Sequence, residues 1–258
     1  MLNKKIISLV NQKGGVGKTT SVINIGFSLA SLRHKVLIID LDAQGNASSG
    51  IGVTKQDIEY SSYDFIMGSV DVNKCIYSTR KEGLSIIYAS SNLSGAEIEL
   101  VNSKNREFFL KERLENLNYD YILIDCPPSL GLLTVNALTA SNYIIIPVQA
   151  EYYALEGLSQ LLETFKAVKN SINPDLSILG VILTMYDKRT TLGNQILDEI
   201  NKYFGDLTFN TKIPRNIRLA EAPSFGLSIY EHDKWSKGAR AYKALSKEIE
   251  QRLDHLNK

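Results

Sequence analysis

Three short stretches of this sequence carry residues whose types and spacing suit phosphate chemistry. The first is 11-NQKGGVGKTT-20, where Gly14, Gly15, Val16 and Gly17 run into Lys18, Thr19 and Thr20. Glycines there allow backbone N–H groups to turn inward around phosphate oxygens, and a helix opening behind them adds its positive end. Lys18 is then placed to neutralise the β- and γ-phosphates, and the Thr19 hydroxyl to ligate Mg²⁺. The loop pattern G-x-x-x-x-G-K-[ST] asks for glycine where this chain has Gln12, and beside it stands a second lysine, Lys13. The plain alternatives are a glycine turn that ends an ordinary strand and a solvated surface lysine.

The second stretch is 36-VLIIDLDAQGN-46, with Asp40 and Asp42 at i and i+2 where an apolar run ends. That spacing sends both carboxylates to one side of a strand end, the edge at which ligands sit in open α/β sheets. Asp40 suits the water shell of Mg²⁺, and Asp42 suits orientation of an attacking water. Aspartates at such places also simply cap turns. The third stretch is 121-YILIDCPPSLG-131, an apolar run closed by Asp125 and stiffened by two prolines, a Walker B arrangement that places a carboxylate near the metal.

Elements must bring these stretches to one edge. Strands are expected at Ile6–Val10, Val36–Asp40, Leu84–Tyr88, Tyr121–Asp125, Tyr143–Val148 and Ile178–Thr184, mostly as continuous apolar runs that suit burial on both faces. Between them lie helical faces at 3/4 spacing: Val22, Ile25, Gly26 and Leu29; then Leu155, Leu158, Leu161, Leu162, Phe165 and Val168. A last face comprises Tyr242, Leu245, Ile249, Leu253 and Leu256. The alternation predicts one doubly wound α/β domain over residues 1–258, mostly parallel, with helices on both faces and a C-terminal helix near 237–256 packed on it.

Bulk properties narrow the class. The 258 residues are 44% hydrophobic, enough for a buried core, and 29 Lys+Arg balance 28 Asp+Glu. Net charge therefore announces no partner, and any nucleic-acid contact must come from a local patch. Cys75 and Cys126 form no CxxC pair and have no zinc-like histidine spacing, which suits a reduced, cytoplasmic setting. No secretion signal follows Met1, and no apolar run reaches the roughly 18 residues of a membrane span.

Taken together, K-G-G-V-G-K-T, D-L-D-A-Q-G-N and I-D-C-P-P-S-L-G resemble the deviant Walker ATPases, and among them the ParA/Soj chromosome-partitioning family. Further matching segments are 95-GAEIEL-100, 147-PVQAEYYALEGLSQL-161, 183-LTMYDKRTTLG-193 and 213-IPRNIRLAEAPSFG-226, with the loosest match between Lys55 and Leu93 and after Tyr230. The resemblance implies a P-loop ATPase using ATP and Mg²⁺. It also implies an ATP-dependent sandwich homodimer that binds nonspecific double-stranded DNA, and a ParB/Spo0J-like partner that stimulates hydrolysis and resets it. The ATP-bound form would associate with the nucleoid. Lys13 then matches the signature lysine that reaches the partner subunit's phosphates, and Met185, Pro214 and Asn216 match positions around the adenine ring.

Basic residues gather late in the chain: Lys188, Arg189, Arg215, Arg218, Lys234, Lys237 and Arg240. Doubling such a patch in a dimer multiplies the phosphates neutralised along one duplex. Arg189 and Arg218 also resemble the family's DNA-contacting arginines, with Lys188 and Arg215 beside them. With no aromatic-interleaved basic stripe and no helix-turn-helix, contacts to phosphates are expected rather than base readout.

Three rival readings keep the nucleotide loop. A MinD-like membrane ATPase would end in a basic amphipathic helix, but 244-ALSKEIEQRLDHLNK-258 mixes Glu248, Glu250 and Asp254 with its lysines, and no stable membrane association is expected. An iron–sulfur reductase needs two cysteines placed at a dimer axis. A metabolic ligase or kinase needs an acceptor signature that the sequence does not display.

Overall fold

The computed structural model describes residues 4–53, 58–151 and 157–256. The first half of the chain forms β1 (Lys5–Leu9), α1 (Lys18–Ser31), β2 (Val36–Asp40), α2 (Asn46–Gly50), α3 (Ser62–Met67), β3 (Ile76–Ser78), β4 (Leu84–Ile87), α4 (Leu93–Val101), α5 (Phe109–Leu114) and β5 (Tyr121–Asp125). The second half forms α6 (Leu132–Ala140), β6 (Tyr143–Gln149), α7 (Leu158–Ser171), β7 (Ser177–Thr184), α8 (Thr191–Phe204), α9 (Ile217–Glu221), α10 (Ile229–Asp233) and α11 (Lys237–Leu256).

Among the described residues, seven strands make one sheet in the order β3-β4-β2-β5-β1-β6-β7. Every pairing is parallel except β3 with β4. The expected doubly wound, mostly parallel α/β sheet is therefore the fold. The antiparallel edge strand β3 is the strand the sequence reading lacks. Its three residues are half-buried or exposed and carry too little apolar periodicity to register as a strand; pairing with β4 creates it.

The continuous apolar runs are explained by period-2 alternation between two covered faces. Leu37, Ile39, Ile122 and Ile124 pack with Leu93, Leu110, Leu133, Leu161 and Phe165 from α4 to α7. Val36, Ile38, Leu123 and Ile145 face the other way, against Val22, Ile25 and Leu29 of α1 and Tyr242, Leu245 and Ile249 of α11. Each such side chain contributes on the order of 2 kcal/mol by leaving water. Gly26 lets α1 approach the sheet, since a Cβ there would come within 3.0 Å of Ile38 Cδ1.

The expected α7 face is buried at Leu158, Leu161, Phe165 and Val168, with Leu162 half-buried, while Leu155 lies outside the described residues. On α11 the buried face ends at Leu253; Leu256, expected on that face, is 60% exposed because the helix has run past the sheet. Arg252 pins α11 by donating to the carbonyls of Leu179, Leu207 and Thr208 at 2.8–3.1 Å and lying 4.1 Å over the Phe209 ring. Among the described residues no helix is long and apolar enough to cross a membrane. Both cysteines are free and buried.

Candidate functional site

Strand β1 delivers the chain into the glycine loop, and α1 starts at Lys18. Gly15 and Gly17 take φ of 75° and 88°, a left-handed backbone that disfavours side chains. Lys18 is buried, and its Nζ curls back to donate to the carbonyls of Asn11 at 2.9 Å and Lys13 at 3.1 Å. Burial lowers its pKa, opposed by Asp125, Cys126 and Asp42 nearby. Asn11 steadies the loop: its Nδ2 donates to the Pro147 carbonyl at 2.7 Å and its Oδ1 accepts from the Lys13 N–H at 2.9 Å.

Three carboxylates converge on the same edge. The last rung of the sheet pairs Asp40 of β2 with Asp125 of β5, and Leu9 of β1 with Asp125. Asp40 is fully buried and its oxygens are occupied: Oδ2 accepts from Ser48 N–H at 2.9 Å and Ser48 Oγ at 2.7 Å, and Oδ1 accepts from Asp42 N–H at 3.1 Å. Burial still raises its pKa to about 6. Asp42 lies just beyond the strand, half-buried, and its Oδ1 accepts from Gln44 N–H at 3.0 Å.

Asp125 differs. It is fully buried and neither carboxyl oxygen has a hydrogen-bond partner in the protein. Burial, and then the charge of Asp40, hold its pKa well above the usual carboxylate range, while Thr19 and Lys18 nearby favour the charged form. The Thr19 hydroxyl does not reach hydrogen-bond geometry with it. An orphaned buried carboxylate is costly unless a cation meets it. Magnesium fits such a place, because it takes one or two protein oxygens and completes its shell with water and phosphate. No group of three or more His, Cys, Asp or Glu suited to a metal occurs among the described residues. Cys126 stays a thiol, pushed up to about 12 by burial.

Lys13 does not stand free: its ammonium is ion-paired with Glu151, just after β6, and both side chains are partly exposed. The contacts of Glu151, Asn11 and Ser48 were not legible in the sequence, since each joins segments or backbone groups that no motif pattern specifies.

The three residues matched to an adenine site do come together. Met185, Pro214 and Asn216 line one cavity of about 400 Å³ with Gly17, Thr20 and Thr184, directly beside the loop. Met185 takes φ 51°, a left-handed backbone rare for a side chain of its size. Asn216 caps α9, its Oδ1 accepting from Arg218 N–H at 2.8 Å, which leaves its amide N–H₂ for a ligand.

Of the basic residues expected as one patch, four share a cavity wall, and Arg215 also borders the cavity of Met185, Pro214 and Asn216. Lys188, Arg189, Arg215 and Lys237 line a second cavity with Tyr186, Asp187 and Pro214. Arg218 lines neither that cavity nor the adenine-site cavity; it bonds Glu221 at 2.9 Å and lies 3.8 Å from Asp233. Arg189 is itself held by Asp187 through two bonds of 3.0 and 2.7 Å. Carboxylates thus already offset both arginines expected to contact DNA. Near them Lys234 lies 5.3 Å over the ring of Trp235, which is 78% exposed.

Comparison with known proteins places this geometry. A family model described as an AAA domain matches residues 4–178. The chain is 55% identical to the sporulation initiation inhibitor protein Soj of Bacillus subtilis, over 95% of this chain and 98% of that protein. It is 48% identical to the chromosome partitioning protein ParA of Myxococcus xanthus, over 96% of this chain and 88% of that one. Among solved structures it resembles a cobyrinic acid a,c-diamide synthase from Mycobacterium smegmatis with bound ADP and magnesium. That match has a TM-score of 0.85 and 34% identity, covering 97% of this chain and 96% of that one.

Proposed function

The chain belongs to the ParA/Soj family of chromosome-partitioning ATPases, and from that premise we propose that it is a Mg-dependent ATPase whose ATP-bound homodimer binds nonspecific double-stranded DNA. The observation that carries this reading is the meeting, at one sheet edge, of the glycine loop, buried Lys18 and the partnerless Asp125 carboxylate.

In this reading Gly14, Gly15, Val16 and Gly17 direct N–H groups at the phosphates, flanked by Thr20, and Lys18 exchanges its carbonyl contacts for phosphate oxygens. The Thr19 hydroxyl and Asp125 would hold Mg²⁺, which would supply counter-charge to the triphosphate. Asp40 supports them indirectly, its carboxylate committed to Ser48 and Asp42. Asp42, half-buried and outside the strand, orients the attacking water. Met185, Pro214 and Asn216 take the adenine.

Lys13 leaves Glu151 for the partner subunit's phosphates when the dimer closes, so dimerisation depends on the triphosphate. Lys188, Arg189, Arg215 and Arg218 meet DNA phosphates, exchanging their carboxylate partners for the duplex. Two copies double those contacts, which makes binding depend on the dimer. A ParB/Spo0J-like protein stimulates hydrolysis and returns the monomer, and the protein works in the cytoplasm, on the nucleoid while ATP is bound. The buried face of α11 supports this over a MinD-like membrane role, because its apolar residues are occupied by α1 and the sheet.

A DNA-binding titration without nucleotide, with ADP and with ATP tests the reading. Retention with ATP alone is expected. Equal retention in all three, or liposome sedimentation with ATP and no DNA binding, sinks it.

A further inference from the structure

We propose that Thr184 is a positioning residue that holds the Val16–Gly17 peptide with its N–H turned into the phosphate cradle, a role that rests on the nucleotide reading of the loop. Thr184 closes β7 and is buried, and its Oγ1 donates to the Val16 carbonyl at 2.8 Å. A second acceptor, the Val148 carbonyl, lies at 3.2 Å; with one hydroxyl proton, the shorter contact dominates.

In a trans peptide the C=O and the following N–H point in opposite directions. Fixing the Val16 carbonyl toward Thr184 therefore aims the Gly17 N–H away from it. Such fixing matters here because Gly17 sits at φ 88°, in backbone that glycine can leave at little cost. A reversed peptide would aim a carbonyl at the phosphate and remove a donor at once. Among the described residues, the N–H groups of Gly14, Gly15 and Gly17 donate to no backbone carbonyl, as a cradle for an external anion requires.

The same side chain touches two other parts of the site. A Cβ at Gly17 would lie 3.7 Å from Thr184 Cγ2, so the Thr184 side chain stands directly beside the loop. Thr184 lines the cavity of Met185, Pro214 and Asn216, and its carbonyl accepts from Ala150 N–H at 3.0 Å, next to the Glu151 that pairs with Lys13. Contact between residues 168 apart in sequence leaves no motif behind.

The test compares Thr184→Val, which keeps volume and removes the donor, with Thr184→Ser, which keeps the donor, and Thr184→Ala as a second donor-free variant should Val fail to fold. Calorimetry measures Mg-ATP and inorganic tripolyphosphate, and ligand-observed NMR measures adenosine. The donor-free variant is expected to bind both phosphate ligands about tenfold or more weakly, with a smaller change for adenosine and with Ser close to wild type. The proposal is overturned if the donor-free variant binds Mg-ATP like wild type, or if Ser is as weak as Val. It is equally overturned if the donor-free variant loses Mg-ATP affinity but binds tripolyphosphate like wild type, because the effect then lies outside the phosphate cradle. Wild-type protein that binds no ATP overturns the nucleotide reading itself, an outcome separate from these.

Discussion

Asp40 and Asp125 face each other across the last rung of neighbouring strands β2 and β5, both wholly buried, yet only Asp40 has hydrogen-bond partners. Asp40 spends its lone pairs on Ser48 and the Asp42 N–H, which shapes the turn that carries Asp42. Asp125 is left for a cation. Like charges this close disfavour joint ionisation, so the pair is poised to accept positive charge.

Replacing Asp125 with Asn should raise the stability of the nucleotide-free protein by about 1–3 kcal/mol, since an unpaired buried carboxylate disappears. The same change should lower Mg-dependent ATP turnover by about 100-fold or more. Thermal melts and turnover assays check both. Undiminished turnover would remove Asp125 from the metal site.

Stability of the nucleotide-free protein should depend on pH through the same pair. Burial holds Asp40 at about 6 and Asp125 above its usual value, whereas both return to ordinary carboxylate values on unfolding. The folded state therefore binds more protons above pH ~4, and this contribution weakens stability as pH rises to 6 and beyond. Glu221 and Glu248, held below their usual range, act the other way. The informative quantity is thus the difference between wild type and Asp125→Asn, in melting temperature between pH 5 and 7.5. Wild type should lose more than the variant on going up in pH; parallel curves count against the burial argument.

Asp42→Ala should keep ATP-dependent dimers and DNA binding while losing turnover by about 100-fold or more, if Asp42 orients water. Size-exclusion chromatography with light scattering and phosphate release measure the two. A variant that is monomeric in ATP argues against that role.

Lys13→Ala should bind Mg-ATP in its own site but fail to dimerise. Loss of the partly exposed Lys13–Glu151 pair should change stability by less than about 1 kcal/mol. Normal ATP-dependent dimerisation of the variant would return Lys13 to an ordinary surface lysine.

Arg218→Glu should dimerise with ATP yet lose most retention on DNA. In wild type, log affinity should fall with log salt, and the neutral substitution Arg218→Gln should reduce that slope by about 1 for each DNA phosphate that Arg218 neutralises. An unchanged slope removes Arg218 from the DNA surface. Parallel measurement of Arg189→Gln tells whether Arg189 neutralises phosphates on the same duplex.

Much of this site was legible because its determinants are local. Glycine at 14, 15 and 17 before Lys18 and Thr19 announces a turn into a helix, and an apolar run closed by Asp40 or Asp125 announces a buried strand with a carboxylate at its end. Periodicity likewise marked the faces of α1, α7 and α11. It failed at β3, where only pairing with β4 defines the strand, and at Leu256, where helical periodicity outlasts the surface it packs on.

By itself, then, the sequence determined which chemical groups exist, the order in which sheet and helices present them, and the family to which the chain belongs. Those follow from short-range propensity and pattern. Only the tertiary structure decided which groups are satisfied. It spent Asp40 on Ser48, left Asp125 bare, tied Lys13 to Glu151, paired Arg189 and Arg218 with carboxylates, and set Thr184 against Val16. Hydrogen bonds and ion pairs of this kind depend on distances of a few ångströms between segments far apart in the chain, and no local pattern encodes them.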